Sequence, residues 1–568
     1  MREFGSALPS LTVAHEVGAA LARMGVRTVF GVVGSGNFHV TNALTAGGAR
    51  FVAARHEGGA VVMADAYARV SGELGVLSVH QGPGLTNAMT GITEAAKSRT
   101  PMLILAPEAT MPRSNFFVDQ AALATAVGAI PERVSSAESA VADLERAYRI
   151  AVSQRRPVLV NLPLEVQSMI APYPFQPKAS LPPPAPFPDG TQVSALADAL
   201  TAARRPVFIA GRGARLAAGE LRELGERAGA LLATSATARA LFRGDPFNLD
   251  VSGGFATPVA AELIKGADLI VGWGCSLNMW TLRHGALVDP DATVAQVDIE
   301  AGALGAHTRI DLGVVGDVAV IAAAVLAELA QRGPRASDKG NQRAGLGTLS
   351  GYRSAEVAER LGKEGDWRDV PFEPVTEPDR IDPRTLSIAL DGIIRAERTV
   401  AVDSGNFMGY PAMYLDVPDE HGLVFTQAFQ SIGLGLATAI GAAIARPDRL
   451  TVAALGDGGA LMGISELETA VRLGLNLLVV VYDDEAYGAE VHHFGPYGYP
   501  LKNVTFPATD IAAIARGFGC EGVTVRQESD LTPLGEWING QRDRPLVIDA
   551  KVTKGQPSWW LEEAFRGH

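Results

Sequence analysis

Short runs of apolar residues alternate along this chain with longer segments whose apolar residues recur every three or four positions. The short runs predict strands that are buried on both faces, and the longer segments predict amphipathic helices. Strands that alternate with helices build parallel sheets. We therefore predict an α/β fold with three doubly wound parallel-sheet domains. The predicted domains span residues 8–170, 190–330 and 380–555, and a C-terminal tail spans 556–568.

Two segments that lack this alternation of apolar runs and amphipathic segments separate the predicted domains. Ala171 to Asp189 holds eight prolines and no apolar periodicity, which is typical of a linker. Gln331 to Asp379 is polar and contains proline, so we expect a connector that crosses the surface. The tail contains Trp559 and Trp560, and we expect it to fold over a cleft or a neighbouring subunit.

The pattern in the third predicted domain is the most informative. An apolar run ends in Gly456-Asp457-Gly458-Gly459, and the amphipathic segment Leu461 to Leu473 follows it. A second apolar run, Leu477 to Tyr482, leads into an acidic turn at 483–488. This order of strand, glycine turn, helix, strand and acidic turn predicts a parallel βαβ unit.

Asp457 and Asp484 follow two neighbouring strands of this unit, 27 residues apart. Open α/β sheets bind ligands at the carboxyl ends of their strands, so the two carboxylates can converge. Glycine N–H groups at a helix start attract an anion, and carboxylate oxygens suit a hard cation such as Mg²⁺. The pattern predicts a metal-bridged diphosphate site. The alternative is that the two turns only cap ordinary helices.

The composition and net charge of the chain argue against several classes of protein. The chain has 568 residues, 47% of them hydrophobic and 20% charged, with a net charge of −13. This negative charge argues against nucleic acid as a partner. Cys275 and Cys520 are far apart, so we expect no disulfide framework and a cytoplasmic location. We expect no signal peptide and no membrane span, because even the apolar stretch Ile432 to Ala445 is too short.

The motifs around Asp457 and Asp484 resemble those of the thiamine diphosphate enzymes, in the group of acetolactate synthase, benzoylformate decarboxylase and pyruvate decarboxylase. The resemblance covers nearly the whole chain and implies a pyrimidine-binding, a central and a diphosphate-binding domain. It implies thiamine diphosphate and Mg²⁺, held between the first domain of one subunit and the third domain of another, and hence a homodimer or homotetramer. The chain departs from the family's usual Asn-Asn at Asp483-Asp484.

The resemblance also assigns roles to residues of this chain. The implied metal ligands are the carboxylates of Asp457 and Asp484 and the backbone carbonyl of Ala486. Within the cofactor set, Gly459 and Ala460 would supply N–H groups to phosphate. The implied cofactor-binding residues are Glu57, Gly405, Asn406, Ile432, Gly456, Asp457, Gly458, Gly459, Ala460, Asp484, Tyr487 and Gly488.

Four residues of the first domain form the predicted catalytic set. Glu57 follows a strand and precedes Gly58-Gly59. It matches the family glutamate that hydrogen-bonds the cofactor's pyrimidine ring and promotes proton removal, whereas by itself it could simply be an acid at a helix start. Ser35 and His80 lie at strand ends, where the family places groups near the substrate. Gln120 resembles a carboligase glutamine near the reacting carbon, and the alternative is an exposed helix residue.

Polar residues after the acidic turn extend this prediction. Glu490, His492 and His493 come shortly after Gly488, and we expect them to lie over the pocket. Adjacent helix residues face different ways, so at most one of the two histidines should point inward.

The resemblance implies decarboxylation of a 2-oxo acid. We expect an acetolactate synthase-like carboligase that joins the acyl unit to an aldehyde or ketone acceptor, as the Gly-Pro-Gly turn at 82–84 and Gln120 suggest. His80 favours simple decarboxylation instead. A flavin-dependent oxidase and a catalytically silent subunit are two further alternatives. FAD is not favoured, because Gly211-Arg212-Gly213 lacks the third glycine of the dinucleotide fingerprint.

Overall fold

The computed structural model describes residues 11–172, 189–332 and 351–564. These residues form three six-stranded sheets in which all paired strands are parallel, so the predicted α/β class with three parallel-sheet domains is confirmed. Three segments lie outside the described residues: 173–188 of the predicted linker, 333–350 of the predicted connector, and 565–568 at the end of the tail.

The first domain alternates short buried strands with helices. Its strands are β1 (Thr28–Gly31), β2 (Arg50–Ala53), β3 (Gly75–Ser78), β4 (Met102–Glu108), β5 (Ile130–Arg133) and β6 (Pro157–Pro163). Its helices are α1 (Val13–Arg23), α2 (Phe38–Ala46), α3 (Glu57–Ser71), α4 (Pro83–Asn87), α5 (Met89–Lys97), α6 (Gln120–Ala126), α7 (Ala140–Gln154) and α8 (Leu164–Gln167).

The central domain repeats the alternation. Its strands are β7 (Pro206–Ala210), β8 (Leu231–Thr234), β9 (Asn248–Val251), β10 (Leu269–Trp273), β11 (Thr293–Asp298) and β12 (Leu312–Val315). Its helices are α9 (Gly190–Ala202), α10 (Ala218–Ala228), α11 (Pro258–Lys265), α12 (Met279–Leu282), α13 (Val318–Arg332) and α14 (Ala355–Glu364). Helix α14 corrects our expectation of a plain surface connector, because Leu361 on it is buried in the central-domain core.

The third domain contains the glycine turn and the acidic turn. Its strands are β13 (Arg398–Val402), β14 (Leu423–Phe425), β15 (Leu450–Gly456), β16 (Leu477–Asp483), β17 (Glu521–Val525) and β18 (Leu546–Lys551). Its helices are α15 (Pro383–Ile393), α16 (Gly409–Tyr414), α17 (Gly435–Ala445), α18 (Asp457–Met462), α19 (Glu466–Arg472), α20 (Gly488–Phe494), α21 (Ile511–Phe518), α22 (Thr532–Asn539) and α23 (Trp559–Ala564).

The single helix predicted over Leu461 to Leu473 is two helices in the structure. Helix α18 ends at Met462 with Gly463 as its C-cap, and α19 begins at Glu466. Glycine is a poor helix former and often ends helices. After the break, Glu466 at the start of α19 accepts backbone N–H groups of Arg55 and His56 in the first domain.

The first and third sheets share one strand order. The first sheet runs β2-β1-β3-β4-β6-β5, and the third runs β14-β13-β15-β16-β18-β17. In each, the first and third strands of the domain are neighbours, which creates the crevice where doubly wound sheets bind ligands. The central sheet runs β12-β11-β10-β7-β8-β9, so its corresponding crevice lies between β7 and β10.

Helices α3 and α17 join the first and third domains of one chain. A Cβ atom on Gly441 of α17 would lie 2.3 Å from the carbonyl oxygen of Met63 on α3. The two helix backbones are therefore in contact, and one hydrophobic core continues through both domains. The shared core fixes the two sheets relative to each other.

The C-terminal tail departs from its predicted position. Trp560 is 1% exposed and packs against Tyr410 and Phe255 of its own chain. The tail thus lies between the central and third domains instead of over an open cleft. Within the described ranges, no helix is long and apolar enough to cross a membrane.

Candidate functional site

The crevice between β13 and β15 is built around a buried acid that the sequence reasoning missed. Asp403 follows β13 and is fully buried. Its carboxylate accepts N–H groups from Ser404 at 2.9 Å, from Gly433 at 3.0 Å and from Leu434 at 3.3 Å. Burial raises the pKa of Asp403 to about 6. An acid that directly follows an apolar run was the sequence signal available for it.

Asp457 and Asp484 lie close together at the same edge, as predicted. Burial raises the pKa of both carboxyl groups, and the charge of Asp484 raises that of Asp457 further. Two buried carboxylates that repel each other are stabilised when a cation binds between them. Within the described ranges, however, no group of three or more His, Cys, Asp or Glu side chains converges as a metal site. A cation there would need backbone or ligand oxygens as well.

The acidic turn is packed so tightly that glycine is required beside it. A Cβ atom on Gly488 would lie 2.2 Å from Oδ2 of Asp484, and one on Gly458 would lie 2.6 Å from the ring of Tyr487. The backbone N–H of Ala486 donates to Oδ1 of Asp484 at 3.2 Å. These contacts fix the Asp484 carboxylate and bring the glycine turn against the acidic turn.

Asp483 does not share the environment of Asp484. It is 1% exposed and forms an ion pair with Lys551, whose Nζ also lies 3.1 Å from Oδ1 of Asp549. Lys551 further donates to the carbonyl of Thr509 at 2.9 Å. Of the two acids that stand at the family's Asn-Asn position, Asp483 lines the cleft with Asp457, but its charge is neutralised by Lys551. Asp484 lies next to Asp457, and its charge adds to the effect of burial in raising the pKa of that carboxyl group.

The remaining predicted cofactor residues of the third domain lie around this edge. Asn406 lies beside Gly488, and its buried Oδ1 atom has no hydrogen-bond partner among the described residues. Ile432 is half-buried in the turn whose next residue, Gly433, has φ of 87°. The structure brings together Gly405, Asn406, Ile432, Gly456, Asp457, Gly458, Gly459, Ala460, Asp484, Ala486, Tyr487 and Gly488.

An open cleft of about 280 Å³ lies beside the acidic pair. All of its lining residues come from the third domain. The acidic ones are Asp457, Asp483 and Glu485, and the others include Leu461, Met462, Tyr487 and Phe506. The cleft combines an acidic floor with apolar walls. The repelling carboxylates, the unpartnered amide oxygen of Asn406 and the close-packed glycines fit a diphosphate that is bridged to a cation.

A second group of polar residues lies at the carboxyl edge of the first sheet. Ser35 Oγ lies 3.4 Å from Nε2 of His80, and Nδ1 of His80 lies 2.8 Å from the carbonyl oxygen of Gln81. A carbonyl only accepts hydrogen bonds, so Nδ1 carries the proton and the neutral ring presents Nε2 as an acceptor. The ring of Phe116 packs edge-on against His80, with centroids 5.0 Å apart.

Glu57 lies near the same group of polar residues, with Gly84 between it and His80. It is the first residue of α3, is half-buried, and accepts a hydrogen bond from Nδ2 of Asn87 at 3.0 Å. A Cβ atom on Gly84 would contact both the Cβ of His80 at 3.1 Å and Oε1 of Glu57 at 3.4 Å. The structure therefore places Ser35, His80 and Glu57 at one sheet edge, as the strand-end positions predicted.

Gln120 has a different environment from the one predicted. It is 2% exposed, so it is neither an exposed helix residue nor open to a cleft in this chain. Its Oε1 accepts the N–H of Gly82 at 3.2 Å, and its Nε2 donates to the carbonyl of Pro107 and to Asn161 Oδ1. Its amide is fully used in holding the turn that precedes Gly84.

The histidines after the acidic turn lie on α20. His492 is half-buried, and burial lowers its pKa. His493 packs edge-on against Phe494 with ring centroids 4.7 Å apart, and Glu490 is also half-buried. The α20 segment continues into the exposed aromatic residues Tyr497 and Tyr499.

The crevice of the central sheet is closed by its own backbone. A Cβ atom on Gly211 would lie 2.3 Å from the carbonyl oxygen of Gly274, which follows the neighbouring strand β10. The N–H groups of Gly211, Gly213 and Gly274 donate to the backbone carbonyls of Trp273, Gly274 and Val297. These N–H groups are not available to a phosphate, so the Gly-x-Gly turn serves packing.

Family models match all three domains. The model described as thiamine pyrophosphate enzyme, N-terminal TPP binding domain, matches residues 11–125. The model of the central domain matches 193–329, and that of the C-terminal TPP binding domain matches 403–550. Each match contains one of the three parallel sheets or most of one.

Curated relatives align over most of the chain. It is 30% identical to a Pseudomonas aeruginosa protein named "Probable 2-ketoarginine decarboxylase", over 92% of this chain and 91% of that protein. It is 28% identical to a sulfoacetaldehyde acetyltransferase from Rhodobacter capsulatus, over 90% and 89% of the two chains. It is 27% identical to an acetolactate synthase large subunit from Parasynechococcus marenigrum, over 94% and 87%.

Proposed function

The chain belongs to the thiamine pyrophosphate enzymes, and we propose that it decarboxylates a 2-oxo acid and joins the acyl unit to the carbonyl group of a second molecule. The observation that carries the cofactor part of this proposal is the buried pair Asp457 and Asp484 beside a glycine turn. The names of the relatives support the reaction class, because acetolactate synthases and acetyltransferases occur among them beside a decarboxylase.

We propose that the carboxylates of Asp457 and Asp484 and the backbone carbonyl of Ala486 would hold Mg²⁺, which would offset the charge of the diphosphate there. The N–H groups of Gly459 and Ala460 would bind phosphate oxygens at the start of α18, where the helix dipole favours an anion. When bound, thiamine diphosphate supplies the carbon nucleophile and the electron sink that decarboxylation of a 2-oxo acid needs.

Glu57 is the proposed proton-handling group of the protein. The hydrogen bond from Asn87 orients its carboxylate at the sheet edge. A positioned carboxylate can hold a proton against a ring nitrogen of the cofactor and thereby assist proton transfer at the reacting carbon.

Ser35 and His80 are the proposed substrate-binding groups. In the tautomer set by Gln81, the ring presents Nε2 toward the serine hydroxyl. When Nε2 is also protonated, the imidazolium and the serine hydroxyl can both donate hydrogen bonds to a substrate carboxylate, and Nε2 can deliver its proton. Gln120 acts on this edge only indirectly, by holding Gly82.

We propose that the active site forms between two subunits of a homodimer or homotetramer, with the Glu57 edge of one subunit facing the Asp457 cleft of another. Exposed apolar side chains beside both edges support this arrangement. Phe116, which packs against His80, is 42% exposed, and Met462, which lines the acidic cleft, is 55% exposed. Association of subunits would remove such surfaces from water.

Simple decarboxylation is the second candidate, because His80 can donate a proton to the acyl unit once its Nε2 is protonated, and Gln120 does not face a cleft in this chain. Product analysis by NMR separates the two candidates. The protein is incubated with thiamine diphosphate, Mg²⁺ and a panel of 2-oxo acids, with and without aldehyde or ketone acceptors. We expect 2-hydroxy ketones or 2-hydroxy acids with an added acyl unit. Free aldehyde alone would establish the decarboxylase, and no turnover of any donor would contradict both.

A further inference from the structure

A buried glutamate of the third domain hydrogen-bonds the turn that carries Glu57. Glu466, the first residue of α19, is 2% exposed. Its Oε1 accepts the backbone N–H groups of Arg55 and His56, each at 3.0 Å. Its Oε2 accepts the hydroxyl of Thr469 at 2.7 Å and lies 3.2 Å from the N–H of Arg55. One carboxylate thus fixes the two residues that directly precede Glu57.

The start of α3 leaves little freedom around this contact. A Cβ atom on Gly59 would lie 2.5 Å from Oε1 of Glu466, so only a glycine fits there without moving the carboxylate. His56 caps the helix from the other side, because its Nδ1 accepts the N–H of Gly58 at 3.0 Å. The path of the backbone into Glu57 is therefore set by Glu466 in one domain and His56 in the other.

The contact is specific to Glu466 and is not shared by the neighbouring acid on α19. Glu468 pairs with the side chains of Arg55 and Arg472 at the surface, and it makes no backbone contact with the turn in the described structure. Exposed ion pairs contribute little to stability or position. A buried acceptor for two backbone N–H groups contributes more, because its removal leaves both donors without a partner.

We propose that Glu466 is a positioning residue for Glu57, so that the third domain of each chain holds the catalytic turn of its own first domain in place. The inference rests on the proposed function, in which Glu57 assists proton transfer to and from the cofactor. Glu466 needs only an oxygen acceptor at Oε1 for this role. A displacement of about 1 Å in a catalytic group can cost about 10²-fold in rate.

Three variants test the inference. Glu466→Ala removes the acceptor, Glu466→Gln keeps an acceptor oxygen, and Glu468→Gln is the matched control on the same helix. Hydrogen–deuterium exchange of the cofactor-free protein, followed by mass spectrometry over residues 50–60, measures the turn directly. We expect faster exchange of this peptide in Glu466→Ala and wild-type exchange in the other two. Unchanged exchange in Glu466→Ala would overturn the proposal.

The second readout is the proton chemistry of bound thiamine diphosphate. Its exchange of the reactive carbon-bound proton with D₂O is followed by quenched-flow NMR, and its affinity by calorimetry. For Glu466→Ala we expect about 10²-fold slower proton exchange with a Kd within about threefold of wild type. Glu466→Gln should restore the rate to within about fivefold, because the acceptor remains. An equal loss in Gln and Ala would show that the ionised acid itself takes part and would overturn a positioning role.

Two further measurements separate this inference from its premise. If Glu466→Ala fails to fold, Gly59→Ala takes its place, since its added Cβ displaces the same contact while the carboxylate remains, and we expect the same slowed exchange. Wild-type rates in a folded Gly59→Ala would contradict the proposal. Glu57→Gln tests the premise separately. Full proton exchange in that variant would refute the role of Glu57, whereas slow exchange there with normal exchange in Glu466→Ala would refute only the role of Glu466.

Discussion

The first and third domains have the same strand order, yet their ligand-binding edges carry different chemistry. In the first domain, Ser35 and His80 follow the two strands that flank the crevice, and both lie at least partly exposed. In the third domain, Asp403 and Asp457 occupy the equivalent positions and are buried. The strand order sets where a site can form, while the side chains after the strands decide whether it suits a cation and diphosphate or a substrate.

The central domain shows that a crevice in the strand order does not by itself make a ligand-binding site. Its sheet also has a crevice between β7 and β10, but the turns after these two strands are in backbone contact through Gly211 and Gly274. The N–H groups that could bind a phosphate already donate to strand-end carbonyls. A switch point in the strand order is therefore not sufficient. The turns must also leave space and unpaired groups.

Removing one acid from the third-domain edge should have the largest effect. In Asp457→Asn we expect the affinity for thiamine diphosphate with Mg²⁺ to fall by about 100-fold in calorimetry, because the proposed metal site loses one of its two charged groups. The cofactor-free variant should unfold about 2–4 °C higher than wild type, because one of two repelling buried carboxylates is gone. Wild-type affinity would remove Asp457 from the proposed metal site.

Replacing the acid Glu57 at the first-domain edge should lower turnover without weakening cofactor binding. In Glu57→Gln we expect turnover to fall by about 10²–10³-fold, since the amide cannot hold and release a proton. The Kd of the cofactor should stay within about threefold, because the acidic cleft is unchanged. Asn87→Ala, which removes the hydrogen bond to Glu57, is the matched control and should cost about fivefold. Near-full activity of Glu57→Gln would end the comparison of a binding edge with a proton-handling edge.

A smaller effect is expected at Ser35 and His80, the proposed substrate-binding residues of the first domain. In His80→Ala, the KM for the 2-oxo acid should rise by about tenfold, because a partner for the carboxylate is lost. Ser35→Ala should raise KM in the same direction by a smaller factor, since the serine contacts Nε2 of His80. Phe116→Leu, which keeps an apolar contact with the ring, is the control. A fall in kcat at constant KM would assign His80 to proton transfer instead.

The sequence predicted the strand ends correctly but not the contacts between distant segments. Asp457 and Asp484 could be placed together because each directly follows one of two adjacent parallel strands, β15 and β16. Glu466 could not be linked to Glu57, because its partners Arg55 and His56 lie 411 and 410 residues away. The burial of Gln120 likewise depends on Pro107 and Asn161, which lie on neighbouring strands. Helical periodicity shows which face is polar, but it does not identify the partner of a polar group.

Asp483 and Asp484 are adjacent acids in one turn, but they have different partners. Asp483 pairs with Lys551, whereas Asp484 lies next to the carboxylate of Asp457. Asp483 lines the cleft, but its carboxylate belongs to the ion-pair network with Lys551 and Asp549. In Asp483→Asn, the amide oxygen can still accept the N–H of Glu485, which lies 3.0 Å from Oδ1 in the wild-type chain, and Lys551 keeps Asp549. We therefore expect turnover and metal affinity within about threefold of wild type, and a loss of about 1–2 kcal/mol in the free energy of unfolding.

Lys551→Met is the contrasting variant, because it leaves two buried carboxylates without their shared cation. Breaking a buried pair from one side costs about 3–5 kcal/mol, which urea unfolding measures. The double variant Asp483→Asn with Lys551→Met should recover part of that loss, since only Asp549 then remains unpaired. If Asp483→Asn instead weakens Mg²⁺ binding as strongly as Asp457→Asn does, Asp483 belongs to the metal site. Asp457, Asp483 and Asp484 would then all belong to the metal site, and the Lys551 network would be part of the site rather than its support.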